Sequence, residues 1–155
     1  MEVFEGQCQC GAVHYRVQGS AQTLFACHCT ECQRQSASAF GMALWVKDAQ
    51  VELSGPPLQA WTRTTASGKS LTGRFCPVCG TRLFHQVDVP GAPLSIKPGT
   101  LNDTRALRPV AHIWTASKQP WVQLDAAVLQ YPGNPPDLAR LVQTWHAAQT
   151  PDWTN

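Results

Sequence analysis

Charge is scarce in this chain. Only 14% of its 155 residues are Asp, Glu, Lys or Arg, and the formal net charge is +2. The cations are scattered, with no run of one sign, so the basic footprint of a nucleic-acid binder is missing. Long apolar runs are missing too: none approaches the roughly 18 residues that a membrane-crossing helix needs. The N-terminal stretch MEVFEGQCQC lacks the apolar core of a secretory signal. The expected compartment is therefore the cytoplasm, a reducing one, where clustered thiols bind metal more often than they oxidise. Repeats and low-complexity segments are absent as well. With 43% hydrophobic residues, the chain can bury a core of its own, and a single domain over 1–155 is expected, with its core in 6–125.

Turn formers are plentiful. Eleven glycines and twelve prolines cut the chain into short pieces, the pattern of a mainly β fold. Val13, Tyr15 and Val17 alternate with His14, Arg16 and Gln18, a half-buried strand. Further strands are expected at 38–46, 51–53, 58–63, 72–76, 81–87, 94–99, 111–116 and 122–125, and one short helical turn at 101–108. A C-terminal helix is expected at about 135–148, with Asn134 as cap, Pro135 in the first helical position and Asp137 at the positive end of the dipole. Leu138, Leu141, Val142 and Trp145 would form its apolar stripe.

The seven cysteines carry the chemistry. They fall into three groups: Cys8 with Cys10; Cys27, Cys29 and Cys32; Cys76 with Cys79. An odd number cannot be fully paired as disulfides. Cys10 and Cys79 are each followed by glycine, which takes φ > 0 and turns backbone N–H groups toward a metal-bound sulfur. CPVCG reads as a zinc-knuckle turn, with Pro77 pre-setting it. Cys8, Cys10, Cys76 and Cys79 would then hold one Zn²⁺ tetrahedrally, a closed structural site.

The stretch CHCTECQ is left with three thiols. On a strand Cys27 and Cys29 point the same way, and a turn through Thr30 and Glu31 brings in Cys32. Three ligands with a free position are the pattern of a reactive zinc. Zn²⁺ on three thiolates has a formal charge of −1, poor at activating water but able to hold an incoming thiol as thiolate. Other readings stay open: His28 or His112 as a fourth ligand, a redox pair of Cys29 and Cys32 attacked by Cys27, or iron in place of zinc. Cations near the site would ease the extra negative charge, and Arg34 and Lys118 are the candidates. Ser36, Ser38 and Ser117 are candidate donors, and Trp114 and Trp121 candidate pocket walls.

Taken in order, GQCQCGAVHYRV, CHCTECQRQSASAF, RFCPVCGTRLF and HIWTASKQPW resemble the glutathione-dependent formaldehyde-activating (GFA) family, which includes centromere-protein-V-like proteins. The resemblance runs from Gly6 to about Trp121 and takes in all seven cysteines. It implies a β-rich "tent" fold with two zinc ions per chain: a structural one at Cys8, Cys10, Cys76 and Cys79, and a catalytic one at Cys27, Cys29 and Cys32. The activity it implies is carbon–sulfur lyase chemistry on a small-molecule thiol such as glutathione, with formaldehyde as the aldehyde. Ala37 stands where relatives often place glycine, which would narrow the approach to the metal. No nucleic-acid or membrane partner is expected, and a homo-oligomer is left open. The competing class is a non-catalytic zinc module for a protein or nucleic-acid partner, for which a free coordination position has no use.

Overall fold

The computed structural model describes residues 1–148. The expected architecture holds: the chain is mainly β, built of short strands, with a helix at the C-terminal end. No helix among the described residues is long and apolar enough to cross a membrane. The described residues gather into two compact units, one of 1–21 and 45–106, the other of 22–44 and 107–148.

In the first unit, β1 (Glu2–Gln7) runs antiparallel to the start of β2 (His14–Cys27), with Glu2 opposite Gly19 and Gln7 opposite His14. Tyr15 and Val17 are buried between half-exposed neighbours, the alternation expected of a one-sided strand. Gly6 lies beneath the Tyr15 phenol, where a Cβ would strike both it and the Thr100 carbonyl. That close approach lets Tyr15 bond Thr100 at 2.8 Å and meet Phe84 edge-on at 5.0 Å. β4 (Gln59–Thr64), β5 (Ser70–Phe75) and β6 (Arg82–Val87) form an antiparallel meander, followed by the short β7 (Leu94–Ile96).

Three expected segments of this unit differ. The strand expected at 94–99 ends at Ile96, because Pro98 opens a 3-10 turn over Pro98–Thr100. Residues 51–53 are the far end of one long strand, β3 (Gly41–Ser54), which bends at Asp48 with φ 52. The helical turn at 101–108 is replaced by an Asx turn, because the Asp103 carboxylate takes both the amide and the guanidinium of Arg105.

The second unit takes the end of β2, where Leu24 to Cys27 are buried without a break. That run has no period of two because both its faces are covered. Phe25, Ala26 and Cys27 pair in parallel with β8 (Ala111–Ile113), which pairs with β9 (Leu129–Gln130). The expected strand at 122–125 is absent. Asp125 caps a turn there, accepting from Ala127, and the strand forms four residues later. α2 (Leu138–Ala147) buries Leu141 and Trp145, while Leu138 faces solvent. Its cap is Asp137, bonded to the Ala139 amide at 2.9 Å, rather than Asn134. Asn134 instead accepts from the Trp114 indole at 2.9 Å.

Candidate metal centres

Hairpin turns build the first centre. Between β1 and β2 the chain presents Cys8 and Cys10, and between β5 and β6 it presents Cys76 and Cys79. Gly11 and Gly80 both take φ +74, the left-handed geometry that the sequence pattern requires. In the second turn the Gly80 amide reaches the Cys76 carbonyl at 3.0 Å, and the Val78 amide points at the Cys76 sulfur at 3.4 Å. The Val13 amide does the same for Cys8 at 3.3 Å. Thr81 ties the turns together: its hydroxyl accepts from the Gln9 amide at 3.1 Å and lies 3.1 Å from the Cys79 sulfur.

The four sulfurs all lie within 4.8 Å of one another. Cys8 to Cys10 is 3.5 Å and Cys10 to Cys76 is 3.9 Å. A tetrahedral ion with Zn–S bonds of about 2.3 Å sets its sulfurs about 3.8 Å apart, so the cluster matches that size. No two cysteines are joined as a disulfide. The thiols share protons unevenly. Cys79 is drawn down to about 5, chiefly by the Thr81 hydroxyl and then by the amides of Thr81 and Cys10. At Cys10 the Ala12 amide pulls downward, yet the crowding sulfur of Cys8 and burial hold it up at about 12. A cation removes this conflict by letting all four ionise together.

The second centre is made at the end of a strand and the start of a helix. β2 stops at Cys27, and α1 (Thr30–Ser36) begins immediately with Cys29 as its cap. Its sulfur accepts from the Cys32 amide at 3.3 Å. Cys29 and Cys32 therefore converge through one helical turn, and the shared strand face expected for Cys27 and Cys29 does not exist. The three sulfurs lie within 4.8 Å of one another. Cys29 is pushed down to about 2 by the thiols of Cys27 and Cys32, helped by the helix amides of Cys32 and Glu31. Cys27 is pushed strongly upward by the thiols of Cys29 and Cys32 and by burial. Of the Cys27 and Cys29 thiols, Cys29 at the helix end is the one that ionises first.

His28 and His112 do not join this cluster. Their rings bond each other, Nε2 to Nδ1 at 2.9 Å, and burial holds both below the usual imidazole range. After burial and His112, the charge of Lys118 adds to the shift of His28, the residue between Cys27 and Cys29. Lys118 Nζ donates to the Val122 carbonyl at 3.0 Å. Arg34 lies on the outer face of α1, 76% exposed and paired with Glu31 at 3.0 Å. Ser36 and Ser117 are spent on the backbone, Ser36 donating to the Cys32 and Phe40 carbonyls and Ser117 to those of His28 and Trp114, while Ser38 is exposed. Trp121 is 71% exposed.

Gln33 is the residue that sequence reasoning missed. Its amide donates to the carbonyls of His28 at 2.7 Å and Ser117 at 2.9 Å, and its oxygen accepts from Gln119 at 2.8 Å. These bonds clamp the peptide between Cys27 and Cys29 to the loop that carries Lys118. A polar side chain one position after the last thiol was the available signal.

Ala37 ends α1 in the left-handed region, φ 49 and ψ 40. It is exposed and closes the helix, its amide reaching the Arg34 carbonyl. Glycine there is expected to stabilise the protein by about 1 kcal/mol, the left-handed penalty less the entropy glycine adds to the unfolded chain. A thermal melt should rise by about 2–4 °C for Ala37→Gly; an unchanged or lower midpoint would contradict the strain.

A strand-rich chain with one four-sulfur and one three-sulfur cluster defines a β protein able to hold two metal ions, with donors that suit zinc. The family model described as Glutathione-dependent formaldehyde-activating enzyme matches residues 3–117, and the chain belongs to that family. The matched span contains all seven cysteines. No curated protein matches the chain. Among solved structures it is similar to a protein of Rhodobacter sphaeroides, at 20% identity and a TM-score of 0.48, over 65% of this chain and 90% of that one.

Proposed function

We propose that the protein is a zinc-dependent carbon–sulfur lyase that joins a small thiol, glutathione in the first instance, to formaldehyde and reverses the addition. One observation carries the reading: Cys27, Cys29 and Cys32 converge with no fourth His, Cys, Asp or Glu in their group among the described residues. Zinc bound there supplies a soft cation that holds an added thiol in its anionic, nucleophilic form at neutral pH. The four-sulfur centre has no free position and serves the fold.

In the reaction RSH + H₂C=O → RS–CH₂–OH, the thiol loses its proton, a C–S bond forms, and the carbonyl oxygen takes a proton. The chain's own residues prepare this. Helix α1 aims the Cys32 and Glu31 amides at Cys29, which keeps that ligand ionised. Gln33 fixes the His28 peptide and the Ser117 loop, so the trio keeps its spacing. Lys118, tethered at Val122, supplies positive charge against the extra anion. Arg34, held outward by Glu31, supplies less. The setting is a reducing compartment such as the cytoplasm, where both the thiolate ligands and the thiol substrate persist.

Proton NMR exchange between glutathione and formaldehyde tests the reading. Exchange should quicken in proportion to zinc-loaded protein and return to the uncatalysed rate after chelation. An exchange rate that micromolar loaded protein leaves unaltered defeats the proposal for this thiol and aldehyde.

A further inference from the structure

Away from both cysteine clusters, the β4–β7 meander gathers positive charge. Arg82 and His85 stand on β6, Arg63 on β4, and Lys97 just beyond β7. A register shift beside Phe75 puts Arg82 on the same face as His85: Phe84 pairs with Arg74, but Phe75 pairs with Arg82, leaving Leu83 as the extra residue. Gly73, opposite His85, has no side chain, and the Arg82 guanidinium crosses the space a Cβ would fill. From there it covers the Phe75 ring at 5.4 Å and brings Nη1 to 3.0 Å from His85 Nε2.

The electrostatics of this face are one-sided. A guanidinium only donates, so His85 Nε2 is the acceptor, and the ring is neutral with its proton on Nδ1. His85 is held down at about 3 by burial and then by Lys97, Arg82 and Arg63, every one a cation. Arg82 itself is lowered by burial and by Arg63. Among the described residues neither Arg63 nor Arg82 pairs with a carboxylate. Collecting cations around one half-buried imidazole is costly unless an anion joins them. Such crowding is conspicuous in a chain with only 12 Lys and Arg.

We propose that this face binds a small oxyanion, a carboxylate or phosphate group on a soluble molecule, with Arg82 as its main ligand and Arg63 as a flanking charge. The planar fork of Arg82, already held flat over Phe75, suits two parallel hydrogen bonds to such a group. Trp61, 55% exposed and two residues before Arg63 on the same strand face, offers a flat apolar surface for the remainder of the molecule. The site uses none of the seven cysteines and stands independently of the lyase reading.

The test is a ¹⁵N NMR titration of the zinc-loaded full chain with inorganic phosphate, with succinate and with sodium chloride, all at one ionic strength. Saturable shifts should appear at the Gly73, Arg82 and His85 amides with phosphate or succinate, half-complete near or below about 1 mM. Whichever ion acts more strongly identifies the oxyanion. Arg82→Gln should weaken binding by about tenfold or more, as expected for loss of a charged hydrogen-bond donor. Gly73→Ala, which displaces the guanidinium, and Arg63→Gln should weaken it as well, and they decide the matter if Arg82→Gln does not fold. The proposal is overturned if neither ion gives saturable shifts up to about 50 mM, if chloride gives the same shifts, or if the folded variants bind like the parent.

Discussion

Serine in place of Cys76 is expected to strip one of two zinc ions from the chain and abolish the cooperative melting of the first unit. Cys76 is fully buried, and its sulfur sits 3.9 Å from that of Cys10, a residue 66 positions away in sequence. A metal bridging them closes a loop of that length, and the chain-entropy model puts such closure at about 4 kcal/mol. The binding energy of the ion adds directly to folding, since the unfolded chain does not hold the four sulfurs together. A small domain has only about 5–15 kcal/mol of net stability. A hydroxyl cannot replace a soft thiolate on zinc, so a change of one atom reaches the whole margin. Metal analysis and circular dichroism melts of the variant check this, and chelation of the parent protein should reproduce the loss. A variant that keeps two zinc ions and melts within a few degrees of the parent would show that the four-sulfur cluster is not what holds this unit.

The four-plus-three division of the cysteines was legible because it rests on local backbone chemistry. Glycine after Cys10 and after Cys79 signals a left-handed residue, and both glycines adopt it. The convergence of Cys27, Cys29 and Cys32 was legible in outcome but not in cause. A cysteine cap is outside the usual Ser, Thr, Asp and Asn set, and α1 is only seven residues long, so its start carried no recognisable signal. At α2 the opposite happened: Asn134–Pro135 is a strong start signal, yet Asn134 is engaged by Trp114 and the nearer Asp137 takes the role. The cationic face on the meander was hidden because alternation along RLFHQV sets Arg82 and His85 on opposite faces. Only the irregularity beside Phe75, which depends on pairing with β5, reverses that. What remains illegible in such a chain is whatever is settled by a partner strand or by the end of an element.

Cys29→Ser should empty the three-sulfur centre, leave the fold intact, and cut thiol–aldehyde exchange by about a thousandfold, some 4 kcal/mol of transition-state stabilisation. The structure makes this substitution sharper than one at Cys27, which is buried at the end of β2. Cys29 has two tasks: it is a metal ligand by the proposed reading, and it caps α1 by accepting from the Cys32 amide. Serine is among the best helix caps, so the second task survives while the first is lost. Cys29→Ala removes both and should cost about 1 kcal/mol more in stability for the same loss of metal and rate. Comparing the two variants thus separates a ligand from a cap. If both retain two zinc ions and full exchange activity, residue 29 is not a ligand. If the serine variant loses its fold along with its metal, the trio is a structural clasp and the lyase chemistry must lie elsewhere.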